Sequence, residues 1–226
     1  MESSKYIVFL DLDGTLIADN SGYALVRTAY NRKLIGFTGV VNAIFLSLVY
    51  KLHLAPEQKI INSMGSWLKG MPAAVFQEVA GEAVQKYLIN SVYEKAAEEI
   101  EFHRSKNAEL AILSSAVEQI CQPLAAYLGV HQIICTEMKE EAGVLTGNTE
   151  SGYCYGIEKG RRLISFCEQY GFDRARAYYY ADSFADLNAL ESVGNPVCVN
   201  PDKRLKRTAL RESWQIRSWE IQALKK

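Results

Sequence analysis

Residues 5–10, KYIVFL, form a short apolar run of β-favouring side chains that stops at the polar stretch DLDGT. The run is too short for a helix and predicts a buried strand that the chain leaves at residue 11. From about residue 20 to 105 the spacing of apolar positions turns helical, with few strand signals. Pro56, before EQKII, and Pro72 suit the first turn of a helix, where a missing N–H is not needed. Gly65 and Gly70 mark helix ends or weak points, and residues 91–105, SVYEKAAEEIEFHRS, predict an amphipathic helix with a charged outer face.

After residue 108 the rhythm alternates. ELAIL (109–113) predicts a strand, and residues 117–129 a helix closed by Gly129 and interrupted at Pro123. HQIICT (131–136) is a second strand, and VLTGN with SGYCYG (144–156) a β-excursion. A helix over 157–171 ends at Gly171, followed by a strand at 176–182, a helix at 185–194, a strand at 196–200 and a basic helix at 202–213. Strands alternating with helices predict an α/β fold, a Rossmann-like parallel sheet flanked by helices. The helical block after the first strand is then an all-helical insertion, giving a core of residues 1–17 and 106–226 and an insert of residues 18–105.

The 226 residues suit one large domain or one domain carrying an insertion, and 49% hydrophobic with 23% charged residues argues against disorder. Twenty-five Lys and Arg against 26 Asp and Glu leave a net charge of -1, so no bulk basic field exists to hold nucleic acid. Five cysteines, an odd number without a C-x-x-C pair, and only three histidines argue against a disulfide framework or a zinc site. With no secretory signal in MESSKYIVFLDLDG, the expected location is cytoplasmic. Residues 34–50, LIGFTGVVNAIFLSLVY, carry no charge and approach the lower limit of a membrane span, roughly 17–25 residues. Gly36, Thr38, Gly39, Asn42 and Ser47 interrupt the run, which predicts a buried or homodimer-forming helix, or a membrane-surface contact, and not a span.

Ligands of open α/β sheets bind beyond the carboxyl ends of the strands. Those ends carry Asp11 and Asp13, then Ser114 and Ser115, then Asp182, Ser183 and Asp186, while Lys159 opens a helix between them. Clustered carboxylates suit a hard cation such as Mg²⁺, and a lysine with hydroxyls suits phosphoryl oxygens.

D11-L-D13-G-T-L, I112-L-S-S-A, Lys159 in G-I-E-K-G-R-R-L and A181-D-S-F-A-D186 resemble, in order and spacing, the four motifs of the haloacid dehalogenase-like superfamily of phosphatases. T146-G, C154-Y-G-I-E-K and V199-N-P-D-K-R-L further resemble its subgroup related to phosphoserine phosphatase, in which a helical cap lies between the first and second motifs. The resemblance implies a Mg²⁺-dependent phosphomonoester phosphatase acting on a small phosphorylated substrate. Asp11 is implied as nucleophile forming an aspartyl-phosphate, and Asp13 as acid and then base. Asp11, the Asp13 backbone carbonyl and Asp182 are implied as metal ligands, with Asp186 supporting the metal water or Lys159. Ser114, Ser115 and Lys159 are implied to bind phosphate.

Asp13 together with Asp182 argues against a metal-free dehalogenase, and the D-K-T-G-T pattern of P-type ATPases is absent. Three positions depart from the pattern: Ala181 replaces a glycine, Ala185 an asparagine, and Asn20 the glutamate that in phosphoserine phosphatases reads the ammonium group of serine. Asn20, Tyr23 and Arg27 are therefore the specificity candidates, with phosphoserine expected to be a poor substrate. Phosphoserine phosphatase and a membrane-surface lipid phosphate phosphatase are the alternatives.

Overall fold

The computed structural model describes residues 6–41 and 66–220. Six parallel strands form the central sheet in the order β3-β2-β1-β6-β7-β8: β1 is Ile7–Leu10, β2 Glu109–Val117, β3 Gln132–Thr136, β6 Tyr178–Ala181, β7 Asn195–Val199 and β8 Gln215–Arg217. All four residues of β1 are buried, as expected for a central strand covered on both faces. Val8 and Leu10 enter one hydrophobic layer, and Ile7 and Phe9 the other. Leu10 lies in register with Ile112 of β2 and Tyr180 of β6, so three strand ends open side by side at one edge.

The first layer is covered by α2 (Ala73–Ala83), α3 (Glu94–Ser105) and α4 (Glu118–Leu128), with α1 (Ser21–Asn31) packed against α2. The second layer is covered by α5 (Ile157–Tyr170), the short α6 (Leu187–Leu190) and α7 (Lys203–Arg211). Pro72 stands at the N-cap of α2, and Val84–Leu88 continue that helix as a π turn. Within the uncharged run residues 34–36 are not helical and residues 37–41 are; residues 42–50, the first-turn position expected for Pro56 and the helix end or weak point expected at Gly65 lie outside the described residues. No helix of the described residues is long and apolar enough to cross a membrane.

Several elements differ from the sequence expectation. Pro123 does not interrupt α4, because burial of Ile120, Cys121, Leu124 and Leu128 outweighs the one backbone hydrogen bond that proline removes. The β-excursion is a hairpin of β4 (Met138–Glu141) and β5 (Val144–Thr149), not a pairing with residues 151–156. Its two-residue loop, Ala142–Gly143, has positive φ at both positions, the geometry that matches strand twist in a tight hairpin. Residues 91–93 do not belong to α3: Ser91 ends a 3₁₀ turn, Val92 pairs with Ile17 and Tyr93 N–H donates to the Leu16 carbonyl, so α3 starts at Glu94. The helix expected over 185–194 shortens to α6 after a 3₁₀ turn at Phe184–Asp186, and β8 is an additional, solvent-exposed edge strand.

A polar network ties α3 to the sheet. His103, 2% exposed, lies 2.9 Å from the Tyr6 hydroxyl through Nδ1 and 2.8 Å from the Tyr180 hydroxyl through Nε2, and Tyr180 donates to Glu99 at 2.7 Å. Burial holds the His103 pKa below its ordinary value, opposed by Glu99. A histidine kept neutral in the folded chain binds a proton more readily when unfolded, so its contribution to stability is present above pH about 6.5 and is lost as pH falls. Thermal unfolding between pH 5 and 7 should fall more steeply with acidification for the natural chain than for His103→Gln, by up to about 1.4 kcal/mol per pH unit. Parallel pH profiles of the two proteins would refute the assignment.

Candidate active site

Asp11 follows β1 directly and is 6% exposed. Its backbone N–H donates to the Tyr180 carbonyl at 3.0 Å, which fixes it between β1 and β6. Asp182 follows β6, and Asp186 closes the 3₁₀ turn that Ser183 caps through the Ala185 N–H. Carboxylate oxygens of Asp11, Asp182 and Asp186 all lie within 4.8 Å of one another. Lys159, in the first turn of α5 and 2% exposed, donates to Asp11 Oδ1 and Asp186 Oδ1, both at 2.7 Å.

The position of Lys159 is set by the loop before α5. Arg162 donates to the carbonyls of Cys135, Ser151 and Gly152, while the Thr136 hydroxyl accepts from Cys154 N–H. Gly160 then lets α5 close on α6: a Cβ there would stand 3.2 Å from the Asn188 backbone.

One lysine faces three carboxylates, and the electrostatics register the deficit. Burial pushes the Asp11 carboxyl up to about 7, against the pull of Lys159 and with Asp186 adding to the rise. Burial, then Asp11 and Asp186, push Asp182 up to about 8. Burial alone would lower the pKa of Lys159, but Asp11 and Asp186 hold it well above the ordinary value. The donor set is three hard oxygen ligands, Asp11 and Asp186 buried and Asp182 half-buried, with no sulfur or imidazole, and one lysine does not balance its charge. It fits a divalent cation of the Mg²⁺ type.

Asp13 is not part of that cluster. Its Oδ1 accepts from Ser21 N–H at 3.0 Å, and its Oδ2 from the Ser21 hydroxyl at 2.8 Å and from Asn20 Nδ2 at 3.2 Å. The carboxylate thus sits at the N-terminus of α1, where a negative charge is favoured. Burial nonetheless raises it to about 6, with the bonds from Ser21 opposing. Asn20 is the N-cap of α1: its Oδ1 accepts from Tyr23 N–H at 2.9 Å, so both ends of its amide are engaged within the chain. Ser21 was missed as a site residue, although a polar N-cap pair ahead of an apolar-periodic helix is a readable signal.

Gly14 is required twice over. Its φ is +77°, and a Cβ would meet Asp182 Oδ2 at 2.3 Å. Ser114, 1% exposed, accepts from Ala116 N–H at 3.2 Å, whereas Ser115 is exposed and its carbonyl accepts from Thr136. Tyr23 and Arg27 lie on the outer face of α1, where the Arg27 guanidinium stacks 4.5 Å over the Tyr87 ring and not on any of the acidic residues above.

A parallel sheet with a carboxylate cluster and a buried lysine at its carboxyl edge defines a hydrolase site of the α/β class. The family profile for haloacid dehalogenase-like hydrolases matches residues 8–191, and the chain belongs to that family. Among its relatives, the inhibition of morphological differentiation protein of Streptomyces azureus is 30% identical over 92% of this chain and 76% of its own length. A probable phosphatase of Mycobacterium tuberculosis is 27% identical over 96% of this chain and 76% of its own. Among solved structures, a protein of unknown function from Bordetella pertussis Tohama I superimposes with a TM-score of 0.87, at 20% identity, over 95% of this chain and 99% of that one. A phospho-aspartyl intermediate analogue of phosphoserine phosphatase gives a TM-score of 0.71 at 17% identity, over 95% and 93%. The protein is a haloacid dehalogenase-like hydrolase, and its fold is shared with phosphoserine phosphatase.

Proposed function

We propose that the protein is a Mg²⁺-dependent phosphomonoester phosphatase that acts through an aspartyl-phosphate on a small phosphorylated metabolite other than phosphoserine. The observation that carries this reading is the cluster of Asp11, Asp182 and Asp186, its first and third members buried and both bonded to the buried Lys159. Asp11 and Asp182, with the backbone carbonyl of Asp13, would hold the cation. When bound, Mg²⁺ supplies positive charge that offsets repulsion between a carboxylate and a phosphate dianion.

Asp11 attacks phosphorus and displaces the alkoxide. Lys159 neutralises charge beside the nucleophile, and Asp186 holds its ammonium in place. Ser114 and the backbone N–H groups near Leu12 and Ser115 hold the phosphoryl oxygens. Asp13, fixed by the first turn of α1 two residues from the nucleophile, protonates the leaving oxygen and then takes a proton from the water that cleaves the acyl-phosphate.

The engagement of Asn20 supports the exclusion of phosphoserine. With Nδ2 on Asp13 and Oδ1 on Tyr23 N–H, its amide neither carries a negative charge nor keeps an unengaged acceptor end for an ammonium group. Loss of one charge-assisted hydrogen bond, about 1.5–3 kcal/mol, corresponds to roughly 10–100-fold in specificity.

The test is hydrolysis of p-nitrophenyl phosphate with Mg²⁺ and with EDTA, followed by kcat/KM for phosphoserine against alkyl phosphates without an ammonium group. Activity should vanish in EDTA and return with Mg²⁺, and phosphoserine should trail the panel. Activity that survives EDTA would overturn the metal-dependent reading. A tenfold lead for phosphoserine would instead establish the phosphoserine phosphatase reading.

A further inference from the structure

We propose that the outer face of α1 and the turn after it form a docking surface for an anionic lipid bilayer, onto which the protein binds peripherally. This goes beyond the phosphatase reading and does not depend on it.

Five large apolar side chains between residues 23 and 41 face solvent: Tyr23, Tyr30, Leu34, Phe37 and Val41, with exposures from 41% for Leu34 to 70% for Phe37. Tyr23, Arg27 and Tyr30 are spaced four and three residues apart, which places them on one stripe of α1. The opposite stripe, Ala24, Leu25, Thr28 and Ala29, is buried. Solvated aromatic rings beside aliphatic side chains suit the headgroup level of a bilayer, where one part of a ring is apolar and another is wet.

The charge pattern selects the occupant. From Asn20 to Val41 the sequence contains no Asp or Glu, although the chain holds 26 of them, while Arg27, Arg32 and Lys33 fall inside that stretch. Arg32 is paired with Glu78 and Glu82, whereas Arg27 and Lys33 have no acidic partner among the described residues. Glu78 and Glu82, from the neighbouring α2, border the face but are neutralised by Arg32 and Lys86, and an apolar face whose own charged residues are all basic is complementary to anionic headgroups. A second copy is disfavoured, since a two-fold contact sets the same basic patch against itself. The helix that carries this face begins at the buried Ser21, whose backbone and hydroxyl hold Asp13, so docking brings the catalytic edge close to the lipid surface.

The experiment is co-sedimentation of the full chain with vesicles of phosphatidylglycerol or of phosphatidylcholine at low salt, and it needs no substrate. The protein should pellet with phosphatidylglycerol and stay in solution with phosphatidylcholine. Phe37→Asp should weaken binding at least about tenfold, because an apolar side chain leaves the interface. Lys33→Glu should weaken it about 20–30-fold, at roughly fivefold per charge at an anionic surface. Both positions are exposed and lie outside the catalytic machinery, so aryl phosphate hydrolysis in solution should stay at the natural level. Equal sedimentation with both lipids, none with either, or binding that ignores both substitutions would overturn the proposal. Light scattering that shows a dimer dissociated by Phe37→Asp, without vesicle binding, would assign the face to a second copy and also overturn it.

Discussion

Asp11→Asn is expected to lower kcat for aryl phosphate hydrolysis by at least about 10³-fold, because the covalent route through the carboxylate is removed. The fold should survive the change. Asp11 is buried in a group of three carboxylates, and burial already pushes its pKa up to about 7. An isosteric neutral amide relieves that repulsion, while Lys159 keeps its bond to Asp186. Unfolding temperature should therefore be equal to or above that of the natural chain when the metal is absent, and the activity loss cannot be ascribed to unfolding. Retention of more than a few per cent of activity in a folded Asp11→Asn protein would remove Asp11 from the nucleophile's role.

Lys159→Met should produce the largest stability change among these substitutions. The methionine fills the same channel, but Asp11 and Asp186 lose a cation that stands 2.7 Å from each. Removing one member of a buried ion pair typically costs about 3–5 kcal/mol, since the remaining charge is left uncompensated. For a chain of this size that corresponds to about 6–20 °C in unfolding temperature. The sign of its pH dependence is opposite to that of His103. Carboxylates whose pKa is raised in the folded state bind protons more readily there than in the unfolded chain, so the variant should gain stability as pH falls. Added Mg²⁺ should also restore part of the loss. An unfolding temperature unchanged at pH 8 without divalent ions would show that Lys159 does not compensate the cluster.

Both expectations rest on contacts that the sequence alone made only partly legible. The alternation of apolar runs determined the parallel α/β layout, because a strand buried on both faces must be apolar throughout, as Ile7–Leu10 is. It also determined that Asp11, Ser114 and Asp182 come to one edge, since every parallel strand delivers its carboxyl end to the same side of the sheet. The polar strands β4 and β8 were not legible, because neither MKEE nor QIR carries an apolar pattern and both are held by pairing with neighbours.

Which carboxylate faces which partner was decided only by the tertiary structure. Asp11 and Asp13 are two residues apart, yet one points to Lys159 and the other to the first turn of α1. Asn20, a specificity candidate because it stands in place of a glutamate, also caps the helix that follows it, a role its position alone did not show. A cap needs only the next turn of its own helix, but its direction in space is set by what that helix packs against, here α2 over the first hydrophobic layer.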